Sequence, residues 1–165
     1  MDIVIRTVRP EDLDQVTAVE AECFPAAEAA GRKDFERRIN TFPDSFLIAE
    51  RAGQIIGFIN GCVTDEAFIC DEMYEDEAFH KDTGAYQSVF GLDVIPEERN
   101  QGIAALLMRA LMEKARKDGR KGMILTCKER LIHYYEKFGY VNHGISKSVH
   151  GNVVWYDMRL EFGEH

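Results

Sequence analysis

A short stretch of the sequence, Arg99 to Ala104, combines residue types that bind anions and leads into a predicted helix. The first N–H groups of a helix have no partner within it, and the helix dipole favours negative charge there. Gly102 would let a bulky phosphate approach the backbone, and Arg99 adds a permanent positive charge. The stretch therefore predicts a pyrophosphate cradle, although Gly102 could also serve helix–strand packing. The residues assigned to it are Arg99, Asn100, Gln101, Gly102, Ile103, Ala104 and Ala105.

Two polar residues on a neighbouring predicted strand are candidates for moving a proton. Ser88 could orient a water molecule, and Asp93 could accept a proton through one. Asp93 is the geometrically simpler choice, but a solvated or paired carboxylate would look the same in sequence. An acid from the segment Asp65–Asp82 is a further candidate, so the sequence leaves the base open.

A third group of residues would form the pocket for an amine. Phe24, Pro25 and Phe90 either line an apolar pocket or pack in the core. Glu28 stands alone in a predicted loop, where it either attracts an ammonium group or lies on the surface. The sequence keeps both interpretations open for each residue.

Taken together, these features resemble the GNAT family of N-acetyltransferases. Arg99 to Ala104 fits the R/Q-x-x-G-x-G/A signature through which that family binds acetyl-CoA, and L-D-V-I-P, from Leu92 to Pro96, precedes it. Y-Y-E-K-F-G-Y, from Tyr134 to Tyr140, follows near the end of the chain. The resemblance covers most of the second half of the sequence. It implies one acetyltransferase domain over residues 1–165, a mixed α/β (α+β) fold. Its mixed, mostly antiparallel twisted sheet would have about six or seven strands, with about four helices on its faces.

The resemblance also implies roles for residues outside the cradle. Backbone N–H groups of Leu92, Asp93 and Val94 would position the pantetheine and the thioester oxygen if a bulge at Gly91 splays the strand. Tyr135 would contact the cofactor and protonate the departing thiolate, with Tyr134 competing for that role. Acetyl-CoA is the implied acyl donor, and no metal is expected.

Within the family, the compact stretch Leu125–Tyr135 is most similar to the arylalkylamine (serotonin-type) N-acetyltransferases. Vertebrate members of that group carry two histidines where this chain has Ser88 and Phe90, which argues against serotonin specificity and a histidine relay. We expect acetyl transfer to a primary amine by direct attack through a tetrahedral intermediate, the amine being a small arylalkylamine or polyamine. Protein or peptide acetylation and a noncatalytic acyl-CoA-binding module are the alternatives. The site must deprotonate the amine, because about one alkylamine molecule in a thousand is a free base at neutral pH.

Hydrophobic periodicity predicts the elements that would position these residues. Strands are expected at Ile3–Ile5, Phe46–Ala49, Ile55–Ile59, Val89–Val94, Met123–Cys127, Tyr140–Ser146 and Val153–Glu161. Helices are expected from Pro10 to about Phe24, at Lys33–Asn40, from Ile103 to Gly119 and at Glu129–Phe138. These patterns do not specify which strands pair with one another.

Composition sets the wider limits. The 165 residues include 20 basic and 29 acidic ones, a formal charge of −9, which disfavours nonspecific binding to nucleic acid or anionic membranes. Eight of the acids lie between Asp65 and Asp82, where they either only solubilise the chain or steer a cationic substrate. The four cysteines form no C-x-x-C pair, so reduced thiols, no metal site and a cytoplasmic location are expected. No secretion signal or membrane span is predicted, and the protein would be a monomer or homodimer.

Overall fold

The computed structural model describes residues 2–163, which form four helices and nine strands in two sheets. The helices are α1 (Leu13–Cys23), α2 (Arg32–Thr41), α3 (Ile103–Lys117) and α4 (Ile132–Glu136). The strands are β1 (Val4–Thr7), β2 (Phe46–Arg51), β3 (Gln54–Asn60), β4 (Val63–Thr64), β5 (Tyr86–Val89), β6 (Gly91–Val94), β7 (Gly122–Cys127), β8 (Val141–Ile145) and β9 (Tyr156–Glu161). The expected fold class is confirmed, and the sheet is divided into two.

The first sheet has the order β1-β2-β3-β6, and all of its strand pairs are antiparallel. The second has the order β4-β5-β7-β9-β8, in which only the pair β5 and β7 is parallel. The second sheet therefore supplies the mixed character, and the antiparallel majority matches the expectation from sequence.

One predicted strand, Val89–Val94, is two strands in the structure. The chain belongs to the second sheet up to Val89, turns at Phe90, and continues in the first sheet from Gly91. The predicted bulge near Gly91 is thus a complete change of sheet. Sequence periodicity did not show it, because both halves keep the residue types of a buried strand.

The helices pack where their apolar residues direct them. Val16 and Val19 of α1 and Phe35 of α2 are buried against the first sheet, where Phe35 makes edge contacts with the rings of Phe46 and Phe58. Helix α3 also contacts β2, β3 and β6. Its apolar face therefore holds the start of the helix in a fixed position beside β6, as the anion cradle requires.

Short 3₁₀ turns explain the difference between predicted and observed helix lengths. The segments Pro10–Asp12 and Glu129–Leu131 are 3₁₀ turns that lead into α1 and α4, so both α-helices start later than expected. In residues 2–163 no helix has the length and apolar character needed to cross a bilayer. That same part of the chain contains no group of three or more histidine, cysteine or acidic side chains placed to hold a metal ion.

Candidate active site

The two sheets separate at β6, and this separation opens the candidate site. Strands β5 and β7 pair in parallel as far as Val89 and Leu125. Beyond that point β6 pairs with β3 in the first sheet, while β7 continues beside β9 in the second. A cavity of about 650 Å³ lies at this opening, lined by parts of α1, β6, β7 and α4.

The predicted anion cradle lies at the start of α3. Gly102 has a φ of 79°, in the left-handed region that favours glycine, and the space where its side chain would be is open. The first helical hydrogen bond runs from the Leu106 N–H to the Gly102 oxygen at 3.0 Å. Within residues 2–163, the N–H groups of Ile103, Ala104 and Ala105 have no acceptor, and they are free to bind an anion.

The side chains around the cradle divide into two groups. Asn100 and Gln101 are exposed, whereas Ile103 is buried in the core and offers only its backbone. Arg99 folds back onto β6, where its Nε donates to the Val94 oxygen at 3.0 Å. A second cation, Arg51, forms an ion pair with Glu98 and lies 3.4 Å from the Gln101 Oε1. No local pattern pointed to Arg51, because it lies at the end of β2, far from the cradle in sequence.

The free edge of β6 presents backbone groups to the opening. The Ile95 N–H donates to the Ile56 oxygen on β3 at 2.9 Å. Since successive residues of a strand alternate in direction, Leu92 and Val94 direct their N–H groups to the opposite edge, toward β7. By the same alternation the N–H of Asp93 points to β3. Of the three residues predicted to hold the cofactor through their backbone, Leu92 and Val94 therefore face the opening.

Asp93 lies on β6, which packs against α1, and it is only 1% exposed. Neither carboxylate oxygen has a hydrogen-bond donor among the described residues. Burial raises the pKa of Asp93 well above its ordinary range, and the charge of the adjacent Glu20 raises it further. Glu20 is itself 6% exposed and lines the cavity. Asp93 is therefore not a solvated carboxylate, and it binds a proton more tightly than one.

Tyr135 lines the cavity from α4, while Tyr134 does not. Tyr134 instead packs edge-on against Tyr135 and Phe138. The Tyr135 hydroxyl forms no hydrogen bond within residues 2–163. Burial raises the pKa of Tyr135, and the nearby Cys127 contributes to the rise. The phenol thus stays protonated at neutral pH, and of the two competing tyrosines only Tyr135 faces the opening.

Ser88 is not brought to the cavity. It lies in β5, fully buried, and its hydroxyl donates to the Cys62 oxygen at 2.8 Å. A water molecule bound to this hydroxyl would lie away from the opening. The structure thus separates Ser88 from Asp93, although they are close in sequence, because the chain changes sheets between them.

The predicted amine-pocket residues come together. Phe24, Pro25 and Phe90 all line the cavity, with Phe24 and Phe90 half-buried. Glu28 also lines it, but its side chain is only 7% exposed and its Oε1 lies 2.8 Å from the Lys128 Nζ. Glu28 is therefore a largely buried acid paired with Lys128, so the surface interpretation was wrong, and attraction of an ammonium group stays a prediction.

Three aromatic residues that the sequence did not single out complete the wall. Tyr74 stacks on His150 with ring centroids 5.2 Å apart, and the Trp155 Nε1 donates to the His150 oxygen at 2.8 Å. The His150 Nε2 lies 2.8 Å from the oxygen of Glu28. These residues come from the acidic segment and from the β8–β9 connection, which are far apart in sequence. No local pattern could have joined them.

Most of the acidic segment is already engaged within the chain. Asp65 pairs with Lys81, Glu77 with Arg37 and Asp82 with His80. Asp71 accepts hydrogen bonds from the Ser148 hydroxyl and the Val149 N–H, and the Asp76 side chain accepts from the Ala78 N–H. Among the eight acids, Glu75 is the one that lines the cavity.

Comparison with known proteins identifies the family. A family model described as the acetyltransferase (GNAT) family matches residues 13–140. The chain belongs to this family. It is 29% identical over 140 residues to the acetyltransferase SG1711 of Sodalis glossinidius, covering 82% of this chain and 85% of that protein. The GNAT residues therefore span the cradle, the sheet opening and Tyr135.

Two further proteins are similar to this chain, one over part of its own length and the other in fold. The chain is 25% identical over 140 residues to the probable hydrolase YhcX of Bacillus subtilis, a match that covers 81% of this chain and 27% of that protein. This GNAT chain thus spans about a quarter of that relative's length. The structure of the GphF GNAT-like decarboxylase in complex with isobutyryl-CoA superposes with a TM-score of 0.83 at 23% identity, covering 96% of this chain and 98% of that chain. That protein is therefore similar to this chain in fold.

Proposed function

We propose that this chain transfers the acetyl group of acetyl-CoA to a small primary amine, which attacks the thioester directly and forms a tetrahedral intermediate. One observation carries the proposal: the opening between β6 and β7 holds a cavity lined by Glu20 and Tyr135. The same strand β6 carries the buried Asp93 and runs on toward the anion cradle at the start of α3. A cationic acceptor and an anionic acyl donor would therefore meet at one place.

The cradle and the β6 edge suit acetyl-CoA in charge and in shape. The unpaired N–H groups of Ile103 to Ala105 and the open space beside Gly102 would receive the pyrophosphate. Arg99 and Arg51 would balance its charge at the two sides of the loop. The N–H groups of Leu92 and Val94 would hold the pantetheine amide and the thioester oxygen, as an added strand would be held.

Tyr135 would protonate the departing sulfur. Tyr135 lines the cavity, and its hydroxyl has no competing hydrogen-bond partner in residues 2–163. The hydroxyl stays protonated because burial raises the pKa of Tyr135. The sulfur takes the phenolic proton as the carbon–sulfur bond breaks, since a free thiolate would leave less readily. Asp93, the acid placed on β6, would accept a proton from the amine.

The walls of the cavity favour a small substrate with an apolar part. Tyr74, Phe90 and Trp155 supply aromatic surface, which fits an arylalkylamine and also binds an alkylammonium group through cation–π contacts. The contact between His150 and Glu28 joins the α1–α2 connection to the β8–β9 connection across this side. That bridge limits the room for a peptide, so protein or peptide acetylation is the second candidate.

A thiol-release assay with a panel of amines tests the proposal. The panel contains phenethylamine, tryptamine, polyamines, aminoglycosides and peptides with free amino termini, each with acetyl-CoA. We expect thiol release with at least one small amine and little with the peptides. Absence of acetyl-CoA binding in calorimetry would refute the proposal, and tight binding without turnover of any amine would favour the noncatalytic acyl-CoA-binding module.

A further inference from the structure

Gly91 lies between the cavity and the carboxyl oxygens of two buried acids, Glu20 and Asp93. A methyl group placed on Gly91 would lie 3.2 Å from the Asp93 Oδ1, 3.5 Å from the Asn60 Nδ2 and 3.7 Å from the Glu20 Oε1. Three polar atoms from α1, β3 and β6 thus surround the position that a side chain at Gly91 would occupy. Because Gly91 itself lines the cavity, the missing side chain leaves a passage between the cavity and these atoms.

The atoms around this passage lack the partners that buried polar groups normally have. Both oxygens of Asp93 and the Nδ2 of Asn60 are buried without a hydrogen bond among the described residues. Unpaired buried polar atoms are costly, and a protein retains them where they serve a ligand or a reaction. Glu20 has one oxygen engaged, since its Oε2 accepts the Ala30 N–H at 2.9 Å, and its Oε1 faces Gly91.

We infer that Glu20 and Asp93 form a pair of carboxylates that accepts the proton of the substrate ammonium through the passage at Gly91 and then shares it. The inference rests on the proposed acetyl transfer and adds α1 to the site through Glu20. Two carboxylates in one buried space repel each other, so the ionised pair binds one proton more tightly than an isolated carboxylate does. The ionised pair is therefore the stronger base, which suits an amine of high pKa.

The charged groups around the pair leave it free to act. Arg38 of α2, 4% exposed, lies nearby, but its Nη1 donates to the Asn60 Oδ1 and its Nη2 to the Tyr74 oxygen, each at 3.2 Å. It neutralises the pair at a distance without donating a hydrogen bond to either acid. Cys23 of α1 raises the pKa of Asp93 slightly, and Tyr135 faces it from α4. Among these neighbours, Arg38 is the one cation whose charge opposes protonation of the pair.

The protons and bonds balance in this scheme. The substrate ammonium gives one proton to the ionised pair, which then holds a single shared proton, and the free amine nitrogen bonds to the thioester carbon. The tetrahedral nitrogen then loses its second proton as the carbon–sulfur bond breaks, and the sulfur takes one proton from Tyr135. The proton from the nitrogen restores the Tyr135 hydroxyl, and the pair releases its proton to solvent. The products are an amide, the free thiol of CoA and one proton.

Replacement of Glu20 tests the pair through its pH dependence. In Glu20→Gln, Asp93 loses the neighbouring negative charge, so the acid limb of kcat/KM should move to lower pH by about one unit or more. The plateau should fall roughly 100-fold, because the remaining base is weaker. Glu22→Gln on the exposed side of the same helix is the matched control and should change neither. An acid limb that stays in place in Glu20→Gln would overturn the inference.

Gly91→Ala tests the passage without changing a charge. Its backbone is not in the left-handed region, so alanine is allowed, but the methyl group would fill the space between the cavity and the acids. We expect turnover to fall at least tenfold with little change in acetyl-CoA affinity. Gly31→Ala, whose added methyl would have only an ordinary contact with Asp34, should have no such effect. Full activity of Gly91→Ala would also overturn the inference.

A measurement on the resting protein separates this inference from the acetyltransferase proposal. Carboxyl ¹³C resonances of Asp and Glu, followed by NMR against pH, should show one group titrating above the ordinary carboxyl range and disappearing in Asp93→Asn. If this titration is present and no amine is acetylated, the proposed function fails while the shared proton stands. If amines are acetylated and no carboxyl titrates in that way, the function stands and the pair is refuted.

Discussion

Tyr135 is a half-buried acid and Asp93 a fully buried one, and loss of contact with water raises the pKa of each because it disfavours the charged form. The effect on function is opposite in the two cases. For Tyr135 it preserves a proton that can be donated. For Asp93 it produces a carboxyl group with a stronger affinity for protons, at a cost to stability. Both residues can be tested separately.

Tyr135→Phe removes the proposed acid and little else. We expect kcat to fall roughly 100-fold, because a general acid typically contributes at least that factor. The acetyl-CoA dissociation constant from calorimetry should change little. Tyr134→Phe, the neighbour that lies outside the cavity, is the control and should retain its rate. An unchanged kcat in Tyr135→Phe would remove this residue from the mechanism.

Asp93→Asn should stabilise the protein, and more so as pH rises. The pKa of Asp93 is higher in the folded than in the unfolded chain, so the folded state binds more protons between those two values. Wild-type stability therefore falls as pH rises through that window, by up to about 1.4 kcal/mol per pH unit. Asparagine does not ionise, so the variant does not lose this stability as pH rises. Its Tm relative to wild type should therefore rise by about 3 °C per pH unit.

Thermal unfolding from pH 4 to pH 8 measures this difference. The control is Asp44→Asn, which replaces an exposed aspartate and should give no pH-dependent gain. A stability difference that is constant with pH would show that Asp93 has an ordinary carboxyl pKa in the folded protein. Active sites commonly retain such a cost to stability in exchange for reactivity.

At the scale of elements, the site depends on one change of sheet at Phe90. The helices, the β2–β3 hairpin and the buried strand β7 follow from local patterns in the sequence, and the structure contains them. The division of Val89–Val94 does not follow, because the choice of β7 or β3 as partner is made by tertiary contacts and not by residue type. The sequence could indicate a cradle, but not the opening beside it.

The cradle at the start of α3 makes an element-scale prediction. Gly102→Ala should weaken acetyl-CoA binding at least tenfold, since the methyl group would enter the space beside the free N–H groups. Gly119→Ala is the matched control, because Gly119 lies just beyond the other end of α3 with nearly the same φ and equally open space. Each substitution costs about 1 kcal/mol in backbone strain. Equal loss of affinity in both variants would place the pyrophosphate elsewhere.

At the scale of the whole molecule, the charge of −9 divides into acids with different tasks. Several acids of the Asp65–Asp82 segment hold the fold together, as Asp71 does by binding the β8–β9 connection. Glu20 is not part of that segment and was not predicted, because a single glutamate on an amphipathic helix resembles any surface acid. Its role follows only from contacts across α1, β3 and β6.

Glu75 is the acid of that segment through which the overall charge would act on a substrate. Glu75→Gln should raise the KM for a cationic amine about two- to fivefold at low salt, as exposed charge pairs contribute weakly. The increase should disappear at high salt because the interaction is screened. Glu72→Gln, which is exposed but lies outside the cavity, should leave KM unchanged. A KM change that does not depend on salt would exclude electrostatic steering.

The central claim is acetyl transfer to a small primary amine at the opening between β6 and β7. Mass spectrometry of a competition mixture tests it most directly, with the protein, acetyl-CoA, tryptamine, spermidine and a peptide that carries a free amino terminus. We predict that a small amine gains one acetyl group and the peptide remains unmodified. An acetylated peptide beside unmodified amines would contradict the claim, as would the absence of any acetylated product while acetyl-CoA binds.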